Sequence, residues 1–182
     1  MTKNILVLTG SPRKGGNSDL LADAFIAGAE RAGHSVTKYA TADKTINGCK
    51  ACNACFSKGQ ACVFRDDFNE LAPLVEQAEI LVLATPLYWF TFPVQLKAAI
   101  DKFYSFMVAD RKPKIEQSVL MVCGEDDRES GFDGIVRTYE LMVEYLKWKD
   151  AGRIIVTNVN DKGDIRNTDA LQRAEKLGES IG

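Results

Sequence analysis

The segment that most constrains the fold is a strand, a glycine-bearing loop and a helix that follow one another near the start of the chain. Ile5-Leu6-Val7-Leu8 is a continuous apolar run of the kind a buried strand shows, and Leu20, Leu21, Ala24, Phe25 and Gly28 recur at helical spacing. Between them lies Gly10-Ser11-Pro12-Arg13-Lys14-Gly15-Gly16-Asn17-Ser18. A loop leaving the carboxyl end of a first strand is where open α/β sheets bind ligands. Gly15 and Gly16 let backbone N–H groups approach an anion without a Cβ in the way. Ser11, Asn17 and Ser18 add polar donors, and Arg13 can fork onto phosphate oxygens. Asn17 or Ser18 is placed to cap a helix whose N-terminus favours negative charge. Gly10 and Gly15 have P-loop spacing, but Gly16-Asn17 replaces the Lys-Ser/Thr pair, and the Gly-x-Gly-x-x-Gly fingerprint is absent. The loop therefore suits a terminal phosphate monoester better than a triphosphate; a plain polar connection is the alternative.

The rest of the chain alternates strands with helices. Asn4–Leu8 reads as a first strand, and a helix from about Asp19 to Ala32 ends at Gly33. His34 to Tyr39 reads as a second strand, with His34, the single histidine, exposed at its start. Phe68 to Glu76 is a short helix capped by Asp66 or Asp67, with Pro73 shortening or bending it. Glu79 to Ala84 is a central strand, apolar on both faces. A third helix begins near Val94 behind Pro93 and presents Leu96, Ala99, Ile100, Phe103 and Met107 on one face. Ser118–Cys123 and Gly152–Thr157 are strands; Ile135–Lys147 and Thr168–Ile181 are helices. The pattern predicts an α/β fold in a single domain, 1–182. This is a flavodoxin-like three-layer sandwich around a five-stranded parallel sheet of order 2-1-3-4-5, with its ligand at the switch between strands one and three.

Composition narrows the function classes. The chain is 46% apolar and 26% charged, as in ordinary globular proteins, and its net charge of −2 argues against a general nucleic-acid binder. No apolar run reaches the length of a membrane span, and Met1-Thr2-Lys3-Asn4 leads straight into a strand with no signal-peptide pattern. A cytoplasmic setting is expected, with thiols reduced or metal-bound.

Two further segments carry chemistry. Thr85-Pro86-Leu87-Tyr88-Trp89-Phe90-Thr91-Phe92-Pro93 follows the third strand and should lie beside the first loop. Its aromatic faces and backbone N–H groups suit a flat heterocycle, and its prolines stiffen it; Phe92 is expected to pack inside instead. Thr41 to Asp67 has no period and is too long for an ordinary connection. It holds Cys49, Cys52, Cys55 and Cys62, four of the five cysteines. Three thiols spaced Cys-x2-Cys-x2-Cys match the run of a bacterial ferredoxin, although the gap to Cys62 is longer and Val63 replaces the proline. Tightly spaced thiolates are metal or cluster ligands more often than disulfides in a reducing compartment. A four-thiolate zinc site and free reduced thiols stand as alternatives. Cys123 reads as a packing residue.

Gly10-Ser11-Pro12-Arg13, Gly16-Asn17-Ser18, Thr85-Pro86-Leu87-Tyr88-Trp89-Phe90, Pro93, Leu96-Lys97 and Ile100-Asp101-Lys102, in this order, closely resemble the NAD(P)H-dependent FMN reductase family. The resemblance runs from about Lys3 to Met107, and the cysteine loop looks like the iron–sulfur flavoprotein branch. It implies FMN, with Ser11, Arg13, Asn17 and Ser18 on the phosphate and Pro86, Leu87, Tyr88, Trp89 and Phe90 along the isoalloxazine. Cys123, Gly124 and Glu125 would border the flavin, by position alone. Cys49, Cys52, Cys55 and Cys62 would ligate a [4Fe–4S] cluster. The implied activity takes two electrons from NADH or NADPH and passes them to a quinone, a nitro or azo compound, free flavin or an iron–sulfur partner. No catalytic side-chain base is required, and none is evident. An electron carrier between ferredoxin-like partners is the competing class. A plain flavodoxin-like binding module is the third, against which the arginine in the phosphate loop counts. Exposed aromatics around the flavin loop suggest a homodimer or homotetramer, with no nucleic-acid or membrane partner.

Overall fold

Short apolar strands and amphipathic helices assemble into three layers in the computed structural model, which describes residues 1–182. The strands are β1 (Asn4–Thr9), β2 (Ser35–Ala40), β3 (Ile80–Pro86), β4 (Gln117–Cys123) and β5 (Lys149–Val156). All neighbours are parallel and the order is β2-β1-β3-β4-β5, as the sequence pattern predicts. Successive side chains on a strand point to opposite faces. Leu6, Leu8, Leu81, Leu83, Leu120 and Val122 therefore share one core with α2 (Phe68–Gln77), α3 (Val94–Asp101), α4 (Tyr104–Val108) and α5 (Asp133–Leu146). Ile5, Val7, Ile80, Val82, Val119 and Met121 share the other with α1 (Asn17–Arg31) and α6 (Ala170–Ser180).

The α1–α6 contact is a backbone-to-backbone approach. A Cβ on Gly28 would lie 2.0 Å from the Glu175 carbonyl oxygen, and one on Gly178 would lie 2.1 Å from that of Phe25. The two glycines face reciprocal backbone, so α6 sits close against α1. That packing returns the β5–α6 connection to the start of α1.

Several expected boundaries shift for local reasons. The first helix starts at Asn17, two residues before Asp19, and its N-cap is Gly16 with no side-chain cap bond, so neither Asn17 nor Ser18 caps it. The third helix does not run through to Met107. Bonds from Lys102 N to Ala99 O and from Phe103 N to Ile100 O tighten the chain into a 3₁₀-like turn that separates α3 from α4. β5 begins at Lys149, ahead of the expected Gly152, and a bulge absorbs Ala151 opposite Ser118 and Val119. Pro73 lies inside α2 without ending it. Gly33 ends α1 at φ +87° as expected. His34 is half-buried, not exposed. Its Nε2 donates to the Ile181 carbonyl at 2.8 Å, and its Nδ1 accepts the Lys3 N–H at 3.1 Å, tying β1 to the end of α6.

The long segment after β2 is drawn closed at its base. Asp67 accepts the Thr45 N–H through its carboxylate at 2.7 Å and returns its own N–H to the Thr45 carbonyl at 3.0 Å. Asp66 accepts the N–H groups of Asn47 and Phe68 at 3.0 and 3.1 Å and pairs with Lys102. Asn69 holds the returning strand of the segment by bonding both the N–H and the carbonyl of Cys62.

Candidate functional site

The switch in strand order between β1 and β3 leaves a crevice at the carboxyl ends of the strands, as the order predicts. A cavity of about 580 Å³ occupies it, lined by Ser11, Arg13, Asn17 and Ser18 from the first loop, Pro86 to Phe90 from the second, and Cys123, Gly124 and Glu125 from the third. Ladder bonds continue past the strand ends and hold these loops side by side. Gly10 N donates to Ala84 O at 3.0 Å, Leu87 N to Cys123 O at 2.8 Å, and Gly124 N to Val156 O at 3.1 Å.

The first loop is shaped by its own residues. Gly15 takes φ +63°, and a Cβ on Gly16 would lie 2.8 Å from the Arg13 carbonyl, which Gly16 N–H bonds at 2.8 Å. The Asp19 carboxylate reaches back to accept the Gly15 N–H at 2.7 Å and pairs with Lys38 at 2.6 Å. Burial alone would raise the Asp19 pKa, but the hydrogen bonds from Lys38 and Gly15 outweigh it and hold the carboxyl below its ordinary value. No group in the chain takes the N–H groups of Asn17, Ser18 and Asp19, so the first turn of α1 presents free donors. Asn17 lines the cavity, yet its amide is engaged elsewhere. Nδ2 donates to Asp161 O at 2.9 Å, and Oδ1 accepts from Gly163 N and Ile165 N at 2.9 and 3.3 Å. Asn17 thus holds the β5–α6 loop in place.

The second loop is a two-residue hairpin. Tyr88 and Thr91 exchange both backbone bonds at 3.0 Å, and the central residues Trp89 and Phe90 have φ +44° and +64°. Such a turn favours Asn-Gly, and two aromatics in it are strained. Trp89 is 91% exposed and Phe90 50%, while Phe92 is buried as expected.

Sequence reasoning missed the fourth wall. Val159, Asn160 and Lys162 line the same cavity, as do Gly16 and Asp126. Arg13 Nη1 donates to Asn160 O at 3.3 Å, and Lys162 lies alongside Gly15. Arg13 and Lys162 therefore bring two cations from opposite ends of the chain to the start of α1. The usable signal was Asn158 to Gly163 itself, a polar turn at the carboxyl end of a strand. The Asp126 charge is paired with Arg128, which grips its carboxylate with both Nε and Nη2. Burial pushes the Cys123 thiol up to about 12, so it stays neutral at ordinary pH.

A second cavity, of about 350 Å³, lies under the long segment. Cys49, Cys52, Cys55 and Cys62 all line it, with Phe68, Lys102 and Ser105. Burial, then the neighbouring Cys52, Cys49 and Cys62, raises the Cys55 pKa, so the four thiols sense one another. No set of three His, Cys, Asp or Glu side chains is gathered tightly enough for a single metal ion.

Comparison with known proteins agrees with this architecture. The chain covers 98% of its own length against an NAD(P)H:quinone oxidoreductase from Methanothermobacter marburgensis, with a TM-score of 0.78 over 96% of that chain at 18% identity, a likeness of fold. It is 39% identical over 99 residues to an iron–sulfur flavoprotein of Archaeoglobus fulgidus, covering 54% of this chain and 44% of that protein. The chain spans about half the length of the iron–sulfur flavoproteins it matches first. It is also 27% identical over 181 residues, 95% of each chain, to a Bacillus subtilis protein provisionally named NAD(P)H-dependent FMN-containing oxidoreductase YwqN. Residues 3–132 match the family model of NADPH-dependent FMN reductase. This match takes in both loops of the switch-point cavity and the cysteine segment, and the chain belongs to that family.

Proposed function

We propose that the chain is an FMN-dependent oxidoreductase that draws electrons from NADH or NADPH. The observation that carries this reading is the division of the switch-point cavity into two chemically distinct ends. At one end stand Arg13, Lys162, Ser11, Ser18 and the free N–H groups at the start of α1. That donor set suits a phosphate dianion, with helix-end N–H groups and two cations opposing its charge. At the other end Pro86, Leu87, Tyr88, Trp89 and Phe90 line the cavity with apolar and aromatic side chains. The separation suits a phosphate monoester on a flat ring, so FMN fits the residues present. FMN, when bound, supplies two-electron transfer, and the protein's part is to bind, orient and shield it. Gly124 and Glu125 border the ring end, and no side-chain base is required. The electrons would go to a quinone, a nitro or azo compound, free flavin or an iron–sulfur partner.

The cysteine cavity favours a second reading, an electron carrier between ferredoxin-like partners. Its donor chemistry fits a [4Fe–4S] cluster held by Cys49, Cys52, Cys55 and Cys62. A cluster keeps its four thiolates farther apart than a single zinc ion does, which agrees with thiols that ring a cavity without converging on a point. A homodimer or homotetramer with its flavins near the contact is part of the same proposal. It is motivated by the exposed Trp89 and Phe90, and its test is the mass in dilute solution. Rapid mixing with NADH and NADPH separates the two readings. Prompt bleaching of the bound flavin supports the reductase; a flavin that only a reduced ferredoxin bleaches supports the carrier.

A further inference from the structure

The cavity lined by the four cysteines is floored at the turn between α3 and α4. There Lys102 and Asp66 form an ion pair whose side chains are only 4% and 1% exposed. Beside it Ser105 is 3% exposed and lines the same cavity. Ser105 Oγ is the one buried side-chain polar atom in the chain without a hydrogen-bond partner. Native structures keep few such atoms, and each calls for an explanation. A helical serine can return its hydroxyl to the carbonyl one turn back; here the tightened turn at Lys102-Phe103 intervenes and no such bond forms. The other polar residues of the lining, Asn47, Lys50, Asn53, Arg65 and Tyr104, are exposed to solvent. Lys102 already faces a carboxylate. The one buried donor at the floor of this cavity that is left without a partner is the Ser105 hydroxyl.

We infer that Ser105 donates its hydroxyl proton to a sulfur of the [4Fe–4S] cluster held by Cys49, Cys52, Cys55 and Cys62, and thereby sets the cluster's reduction potential. The inference rests on the cluster reading proposed above. Reduction adds negative charge to the cluster, and a hydroxyl dipole aimed at sulfur stabilises that charge. Hydrogen bonds to the sulfurs are among the terms that fix such potentials. Ser105 therefore raises the potential and makes the cluster an easier acceptor for electrons leaving the flavin. The neutralised Lys102–Asp66 pair fixes the turn that presents the hydroxyl.

The test uses protein purified without oxygen, with FMN and cluster in place, as wild type, Ser105→Ala and Ser105→Thr. Iron and acid-labile sulfide are measured first, then each centre is titrated electrochemically and followed by EPR and visible absorption. Ser105→Ala is expected to load as much iron as wild type. At a fixed ambient potential its ratio of reduced to oxidised cluster should fall about tenfold, a negative shift of about 59 mV for one electron. Ser105→Thr should restore the wild-type potential, and the flavin potential should not move. A loaded Ser105→Ala cluster with an unchanged potential overturns the inference. Wild type without iron and sulfide overturns the cluster reading instead, and the iron analysis tells the two failures apart. Should Ser105→Ala not load, pulsed EPR of the reduced wild-type cluster in D2O decides: an exchangeable deuteron coupled to the cluster upholds the bond, and its absence refutes it.

Discussion

Asn17 at the start of α1 donates its amide N–H to the carbonyl of Asp161, 144 residues along the chain, at 2.9 Å. The same side chain accepts two backbone N–H groups of the loop after β5. One residue therefore holds two walls of the switch-point cavity together. Asn17→Ala is expected to destabilise the chain by about 1–3 kcal/mol, because the loop's N–H groups lose their acceptor. FMN affinity should fall with it as Lys162 drifts from Gly15. Thermal unfolding and flavin titration of the variant measure both.

Arg13→Ala should weaken FMN binding by about 1.5–3 kcal/mol, the range for a hydrogen bond to a charged group. FMN should remain preferred over FAD in wild type, because the first loop gives one compact anion site. Lys162→Ala should show a smaller loss that salt diminishes. Fluorescence quenching on flavin addition reads all three, and unchanged affinity in Arg13→Ala would remove that residue from the phosphate end.

Asp19 makes the phosphate end sensitive to acid. Its carboxyl is held below its ordinary value of 3.8, so its contribution to stability is fully present above that pH and is lost as pH falls through the depressed folded value. The loop then loses the Gly15 and Lys38 bonds. Acid titration of the holoprotein should release flavin in that range. Asp19→Asn should bind FMN more weakly at neutral pH and show a shallower acid limb.

Gly178→Ala and Gly28→Ala should each be strongly destabilising. The new methyl would meet backbone that cannot swing aside, at 2.1 and 2.0 Å respectively. Overpacking of this kind costs about 1–3 kcal/mol or more. Chemical denaturation should show a lowered midpoint with an unchanged slope, and the flavin spectrum of the folded fraction should stay as in wild type.

Cys62→Ala should lose or degrade the cluster and keep FMN, because the two cavities have separate linings. Wild type made without oxygen should carry iron and sulfide in equal amounts, near four of each per chain for a four-thiolate cluster. Zinc in their place, or four free thiols, would leave the chain a plain flavin reductase.

What the sequence made legible was contiguous. Ser11 to Ser18 and Pro86 to Phe90 announce themselves because each group is a single run of residues between a strand and a helix. Asn160 and Lys162 do not, since they reach the site through long-range contacts, the bonds of Asn17 and Arg13 to their loop and the glycine contact between α1 and α6. The break at Lys102-Phe103 was hidden because a 3₁₀ turn keeps Ile100, Phe103 and Met107 in an unbroken apolar spacing. The early start of β5 was hidden by Asp150 and the bulge at Ala151, on an edge strand where polar residues are tolerated. His34 gave no sign that its two nitrogens would join the first strand to the last helix.

The paired carboxylates Asp66 and Asp67, which fasten the segment between Thr45 and Phe68 at its base, also govern how this region can vary. With both ends fixed there, adding or removing residues near Gly59 changes little beyond the entropy of closing a ring, about 0.6 kcal/mol for each doubling of its length. β2 would not register a change confined to that exposed tip, whereas Ala61 and Cys62, packed on the core and with Cys62 bonded to Asn69 of α2, keep their places. The exposed tip at Ser57, Lys58 and Gly59 is thus free to be lengthened or shortened without retuning the sheet beneath it. The loop before α1, pinned by Asp19 on one side and Asn17 on the other, has no such latitude.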